Sequence, residues 1–190
     1  MLSMSIVVEK PLKICQEYWN RQLLNRVNNK TGVSCHHLLH EVNLNSLFSD
    51  SFYASHNPII QKADKEFREL KPTEQNMTIW RGIRVPDKNS FFYNKYIQYL
   101  FDKANSLKLN DRFVMREYAY AGYTQDDAEM YASHNGIVFK INVPRGAKIS
   151  RNKIDITLPR YSELICRDIE KYKYYKMYTL DYILPNFTQP

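Results

Sequence analysis

Three stretches of the sequence carry side chains suited to chemistry, and they come in a fixed order. The first is Ile79-Trp80-Arg81-Gly82-Ile83. The second runs from Tyr118-Ala119-Tyr120-Ala121-Gly122-Tyr123-Thr124 through Ala132. The third is Arg160-Tyr161-Ser162-Glu163-Leu164-Ile165-Cys166-Arg167-Asp168. Arg81 has a planar guanidinium, which grips a pyrophosphate bidentately where a lysine offers only a point charge. Gly82 behind it leaves room for a close backbone approach. Glu163 supplies a carboxylate at the head of an apolar run. A fixed carboxylate is able to stabilise the developing positive charge of an oxocarbenium-like species. Taken alone, Arg81 also reads as a surface arginine after a strand, and Glu163 as an exposed strand glutamate.

Other motifs lead nowhere. The chain has five glycines, none spaced to form a phosphate-cradling loop. There is no Gly-x-Ser-x-Gly elbow. Cys35-His36-His37-Leu38-Leu39-His40-Glu41 invites a metal reading, because His36 and His40 would share a helix face. The order is not that of a metalloprotease, and no distant cysteine pair completes a zinc site. A helix with a polar histidine edge is expected, and no metal.

The elements that would position these residues follow from the apolar pattern. Leu12, Cys15, Tyr18, Trp19, Leu23 and Val27 recur at helical steps. Asn28 to Gly32 breaks that helix, and Ser34 caps a second one through Val42. A third starts at Asn57-Pro58, presents Ile59, Ala63, Phe67 and Leu70, and ends at Lys71-Pro72. From Met77 the pattern changes. Met77 to Ile83 reads as a strand, Phe91 to Leu107 as an aromatic-rich helix, and Phe113 to Tyr120 as a stretch of β-formers. Asp126 to Ala132 is a short helix with Thr124 as its cap. Gly136 to Val143 is the clearest strand, and Pro144-Arg145-Gly146 a turn. Ser162 to Cys166 and Tyr172 to Leu184 complete a strand-rich half. Helices first and strands later predict an α+β fold. The expected division is a helical lobe over 1–75 and a β-rich core over 76–190, integrated as one domain.

Composition sets the bounds. The 190 residues are 44% hydrophobic and 25% charged, which excludes disordered, collagen-like and coiled-coil classes. No apolar run approaches the roughly 20 residues of a membrane span. Three widely spaced cysteines argue against a disulfide framework. Met1 to Lys10 lacks the features of a signal peptide, so a cytoplasmic location is expected, without a membrane. The 27 basic residues against 20 acidic ones give +7, which favours acidic partners. The 15 tyrosines, some interleaved with lysines over 171–176, are packing residues or stacking platforms for bases.

The three stretches together resemble the mono-ADP-ribosyltransferases of the Arg–Ser–Glu class, which include bacterial toxins, effectors and phage enzymes. In that family an aromatic-Arg-Gly triplet ends the first strand. A Ser-Thr-Ser segment, a short helix, a strand, a Pro-x-Gly turn and a Glu-x-Glu motif follow. The resemblance spans roughly Ile59 to Asp181. It implies a helical lobe packed on a two-sheet β-sandwich, with NAD as substrate in the cleft and no metal. It implies Arg81 on the phosphates, with Gly82, Tyr118 and Tyr120 as further binding residues. Glu163 would act on the nicotinamide ribose and Tyr161 would face the acceptor, a host protein or a nucleic-acid-associated target.

Two departures bear on the chemistry. Tyr161 stands where arginine-modifying members carry a second glutamate, and a phenol of pKa near 10 is a poor base at neutral pH. Tyr120-Ala121-Gly122 replaces Ser-Thr-Ser. The departures motivate a second reading, a binding module or an NAD glycohydrolase on the same fold. A third drops the resemblance for a basic nucleic-acid-binding domain.

Overall fold

The computed structural model describes residues 57–89, 95–153 and 155–185, together with Lys13. The helices expected over 12–27 and 34–42, and the cluster over 35–41, lie outside the described residues.

Of the lobe expected over 1–75, the described helix is α1 (Pro58–Glu69). Asn57 starts it: its side-chain oxygen accepts from the Ile59 and Ile60 amides, and Pro58 sits where a missing N–H costs nothing. Its buried face is Ile60, Ala63 and Phe67. Ile60 is buried in place of the expected Ile59; both lie within three or four residues of Ala63, so spacing alone does not choose between them.

The core follows in chain order: β1 (Met77–Ile83), α2 (Lys95–Asn105), β2 (Arg112–Met115), β3 (Ala119–Ala121), α3 (Gln125–Ala132), β4 (Gly136–Val143), β5 (Ser150–Arg151), β6 (Ile156–Leu158), β7 (Ser162–Lys171) and β8 (Tyr175–Ile183). One sheet has the order β1-β4-β8-β7-β2, the other β3-β6-β5. Among these strands the β4–β8 pairing is parallel and the rest are antiparallel. The architecture is α+β with two sheets, as the sequence predicts. β1 and β4 have their expected bounds, and Thr124 caps α3 by accepting from the Asp127 amide. The β-formers over 113–120 make two strands, broken at Arg116-Glu117-Tyr118. β5 and β6 are too short to leave a periodic signal, and were not expected.

The five-stranded sheet has two distinct faces. Its inner face presents Ile79, Phe139, Tyr178, Leu180, Tyr182, Leu164 and Met115, which share one core with Ala119, Ala121, Ile156 and Leu158 of the smaller sheet. Each such burial contributes about 1.5–3 kcal/mol. Its outer face is covered at β4 and β8 by α3, where Val138 and Met177 pack on Ala128 and Ala132. Among the described residues a backbone bridge also joins the two sheets: Trp80 and Gly122 exchange both hydrogen bonds, at 3.0 and 2.7 Å.

Gly82 serves this packing. A Cβ there would stand 2.2 Å from the Ala128 carbonyl oxygen and 2.8 Å from the Ala132 nitrogen. The backbone approach expected for a ligand is taken up by α3.

Candidate functional site

Arg81 lies in β1 with its side chain on the inner face. Its partner across the ladder is Phe139, whose own partner is Tyr178, and both are buried in the inner core. The guanidinium is enclosed. Nη2 is 3.2 Å from Oε1 of Glu117, with side-chain exposures of 8% and 2%. Nη1 lies 3.8 Å from the Met115 sulfur. Glu117 sits in the break between β2 and β3. Oε1 makes no aligned hydrogen bond, so this contact holds by charge attraction. The sequence reading missed Glu117. Its signal was a lone carboxylate among the β-formers over 113–120.

Glu163 lies elsewhere. It is the second residue of β7, opposite Val114 on one side and Ile183 on the other. Side chains alternate along a strand. Leu164 and Cys166 enter the inner core, so Glu163 points to the outer face. There it accepts from Arg112 Nη1 at 2.6 Å, and that arginine is 68% exposed. Arg81 and Glu163 therefore occupy opposite faces of one sheet. The expectation that they line one cleft is corrected: the parity of β7 sends Glu163, half-buried, to the outer face.

The tyrosines divide by role. Tyr118 is fully buried. Its hydroxyl donates to Asp64 at 2.6 Å and is 3.3 Å from the Ile60 carbonyl, while its ring stacks on Phe67 at 5.8 Å. Burial, and then the bond to Asp64, push its pKa far above the ordinary phenol value. Tyr118 anchors α1 to the core and is not the open cofactor contact that was expected. Tyr120 is half-buried in β3, opposite Thr157. Tyr161 precedes β7 in a left-handed backbone with φ of 60° and is 58% exposed. The Arg160 guanidinium lies 5.0 Å from its ring centre.

A second carboxylate that the sequence reading missed lies at the entry to β6, in the sheet that adjoins β1. Asp155 enters β6, half-buried. Asn152 fixes it: Nδ2 donates to Asp155 Oδ1 at 2.6 Å, and Asn152 Oδ1 accepts from the Asp155 amide at 2.8 Å. The Tyr123 hydroxyl donates to the Asn152 carbonyl at 2.5 Å. Ile156, the residue after Asp155, pairs with Ala121, the residue before Gly122. Gly122 is bonded to Trp80, the neighbour of Arg81. β3 thus separates the Asp155 backbone from β1 near Arg81. Its signal was a carboxylate between the Pro144-Arg145-Gly146 turn and the triplet Ile156-Thr157-Leu158.

Among the described residues no group of His, Cys, Asp or Glu could hold a metal ion. None of their helices is long and apolar enough to cross a membrane.

No protein-family model and no curated protein sequence matches the chain. Solved structures do. The Clostridium limosum C3 exoenzyme is similar over 92% of this chain and 96% of its own, with a TM-score of 0.57 and 14% identity. An ADP-ribosyltransferase from Clostridium botulinum is similar over 90% and 94%, with a TM-score of 0.57 and 16% identity. An ADP-ribosyltransferase toxin from Paenibacillus larvae is similar over 90% and 96%, with a TM-score of 0.55 and 10% identity. The chain has the fold of the mono-ADP-ribosyltransferases.

Proposed function

We propose that the chain cleaves NAD at the nicotinamide–ribose bond and transfers ADP-ribose to a macromolecular acceptor. The observation that carries this reading is the likeness of fold to ADP-ribosyltransferases, over nearly the whole of this chain and of theirs. Arg81, on the inner face of β1, supports it. In this reading Arg81 holds the phosphates, exchanging Glu117 for them. Phosphate oxygens suit the planar guanidinium, which binds them bidentately.

The carboxylate assigned to the ribose is Asp155, not Glu163. Asp155 enters the sheet that adjoins β1 and is oriented by Asn152. Glu163 lies half-buried on the outer face. As the nicotinamide bond breaks, positive charge develops on the ribose, and a fixed carboxylate nearby lowers the barrier. Tyr120 at the nicotinamide end and exposed Tyr161 toward the acceptor complete the proposal. The acceptor is a host protein or a nucleic-acid-associated target, and the reaction takes place in a cytoplasm.

The buried Arg81–Glu117 pair favours a second reading, a binding module that keeps the fold without turnover. One experiment separates the two. Purified protein is incubated with NAD, with and without cell lysate, and nicotinamide release and labelled ADP-ribose on macromolecules are read. Label that depends on Asp155 supports the transferase. Free ADP-ribose alone supports hydrolysis, and no nicotinamide release supports the module.

A further inference from the structure

Arg160 carries an almost fully enclosed charge. It follows Pro159 in the turn between β6 and β7, and its side chain is 8% exposed. Its Nε is closed off from solvent and has no hydrogen-bond partner among the described residues. Around it stand the Asp64 carboxylate at 3.9 Å and the rings of Tyr118 and Tyr161 at 5.9 and 5.0 Å. Asp64 lies beyond hydrogen-bond distance, and the same oxygen already accepts from the Tyr118 hydroxyl at 2.6 Å. A buried guanidinium normally has its donors satisfied, because each one left unmade in a desolvated place is costly. The rings offset part of that cost through cation–π attraction, but offer no acceptor in the guanidinium plane.

The neighbouring residue adds an independent observation. Tyr161 holds a left-handed backbone that a residue with a Cβ rarely adopts, and its ring is mostly exposed beside the Arg160 guanidinium. Such strain concentrates where a side chain must be held in place for a ligand. An exposed aromatic beside an under-bonded guanidinium is the chemistry that recognises a nucleoside phosphate: the ring stacks a base and the fork takes phosphate oxygens.

We infer that Arg160 and Tyr161 form a nucleoside-phosphate site, with Arg160 binding the phosphoryl group and Tyr161 stacking the base. The phosphoryl group comes from the dinucleotide substrate or from a separate mononucleotide. The inference stands whether or not the chain cleaves NAD.

The test is calorimetric titration of the full chain with AMP, ADP-ribose and inorganic pyrophosphate. Wild type, Arg160→Lys, Arg160→Gln and Tyr161→Ala are compared, each shown folded by its thermal transition. Wild type should bind AMP, and Arg160→Gln should weaken that binding about ten-fold or more, with Arg160→Lys in between. Tyr161→Ala, an exposed position that should not disturb folding, should weaken AMP about five-fold and leave pyrophosphate unchanged. If Arg160→Gln does not fold, Arg160→Lys and Tyr161→Ala carry the test. A wild type that binds none of the probes overturns the inference. So do folded variants that bind AMP as wild type does. Tighter binding of ADP-ribose than of AMP, both lost with Arg160, assigns the site to the dinucleotide; equal binding assigns it to a mononucleotide. NAD turnover with AMP affinity indifferent to Arg160 defeats this inference alone. Arg160-dependent AMP binding without turnover defeats the transferase reading alone.

Discussion

The Arg81 guanidinium and the Glu117 carboxylate face each other at 3.2 Å with almost no exposure to solvent. Each is the other's counter-charge in a place where an unpaired charge is expensive. Arg81→Ala leaves Glu117 buried and uncompensated, and should lower stability by about 3–5 kcal/mol in urea unfolding. Glu117→Gln keeps the shape and frees the guanidinium for phosphate. In the proposed function it should tighten ADP-ribose binding several-fold. Weaker binding would show that Glu117 positions Arg81 and does not compete for it.

Asp155 and Glu163 make opposite predictions in one assay. Asp155→Asn should reduce nicotinamide release about 100-fold or more, the scale on which a preorganised charge-stabilising group acts. Glu163→Gln removes an outer-face ion pair and should change the rate by less than about three-fold. The reverse pattern would return the catalytic role to β7.

Gly82→Ala places a Cβ against the backbone of α3. No flexible side chain can yield there, so the helix must move off β1. The expected cost is about 3 kcal/mol, read as a lower thermal midpoint.

The alkaline limb of stability should be steep. Tyr175 is pushed up to about 12 by burial and then by its hydrogen bond to Glu129, and burial raises Tyr178 and Tyr182 as well. These folded-state values lie above the unfolded phenol value near 10. Their stabilisation is fully present below that pH and is lost as pH rises, for Tyr175 between about 10 and 12. Tyr175→Phe should flatten the decline of unfolding free energy across that window. An unchanged slope would assign the decline to other groups.

What could be read ahead of the structure depended on length and continuity. β1 and β4 have their expected bounds because each is an apolar run wide enough to show its own limits. β5 and β6 are two and three residues long, too few to show a period. They are also the strands that flank Asp155, so the carboxylate was invisible together with its support. Glu163 illustrates a different limit. Its residue type and its apolar neighbours were read correctly, but which face it occupies is decided by the pairing of β7 with β2 and β8. A strand's own sequence gives its alternation, not the side on which the core lies. Tyr118 shows a third: an aromatic before a strand looks the same whether its hydroxyl meets a ligand or, as here, a helix 54 residues earlier.

Among the described residues, the backbone pair between Trp80 and Gly122 gives the two sheets a joint two hydrogen bonds wide. Such a joint resists sliding along the strands but has little stiffness against bending across them. The angle between the sheets is then set by the side chains wedged inside, from Ile79 to Ala121 and Ile156. Trimming one of those wedges alters how far the sandwich gapes. The core thus doubles as the spacer that sets the sheet angle beside Arg81, the neighbour of Trp80.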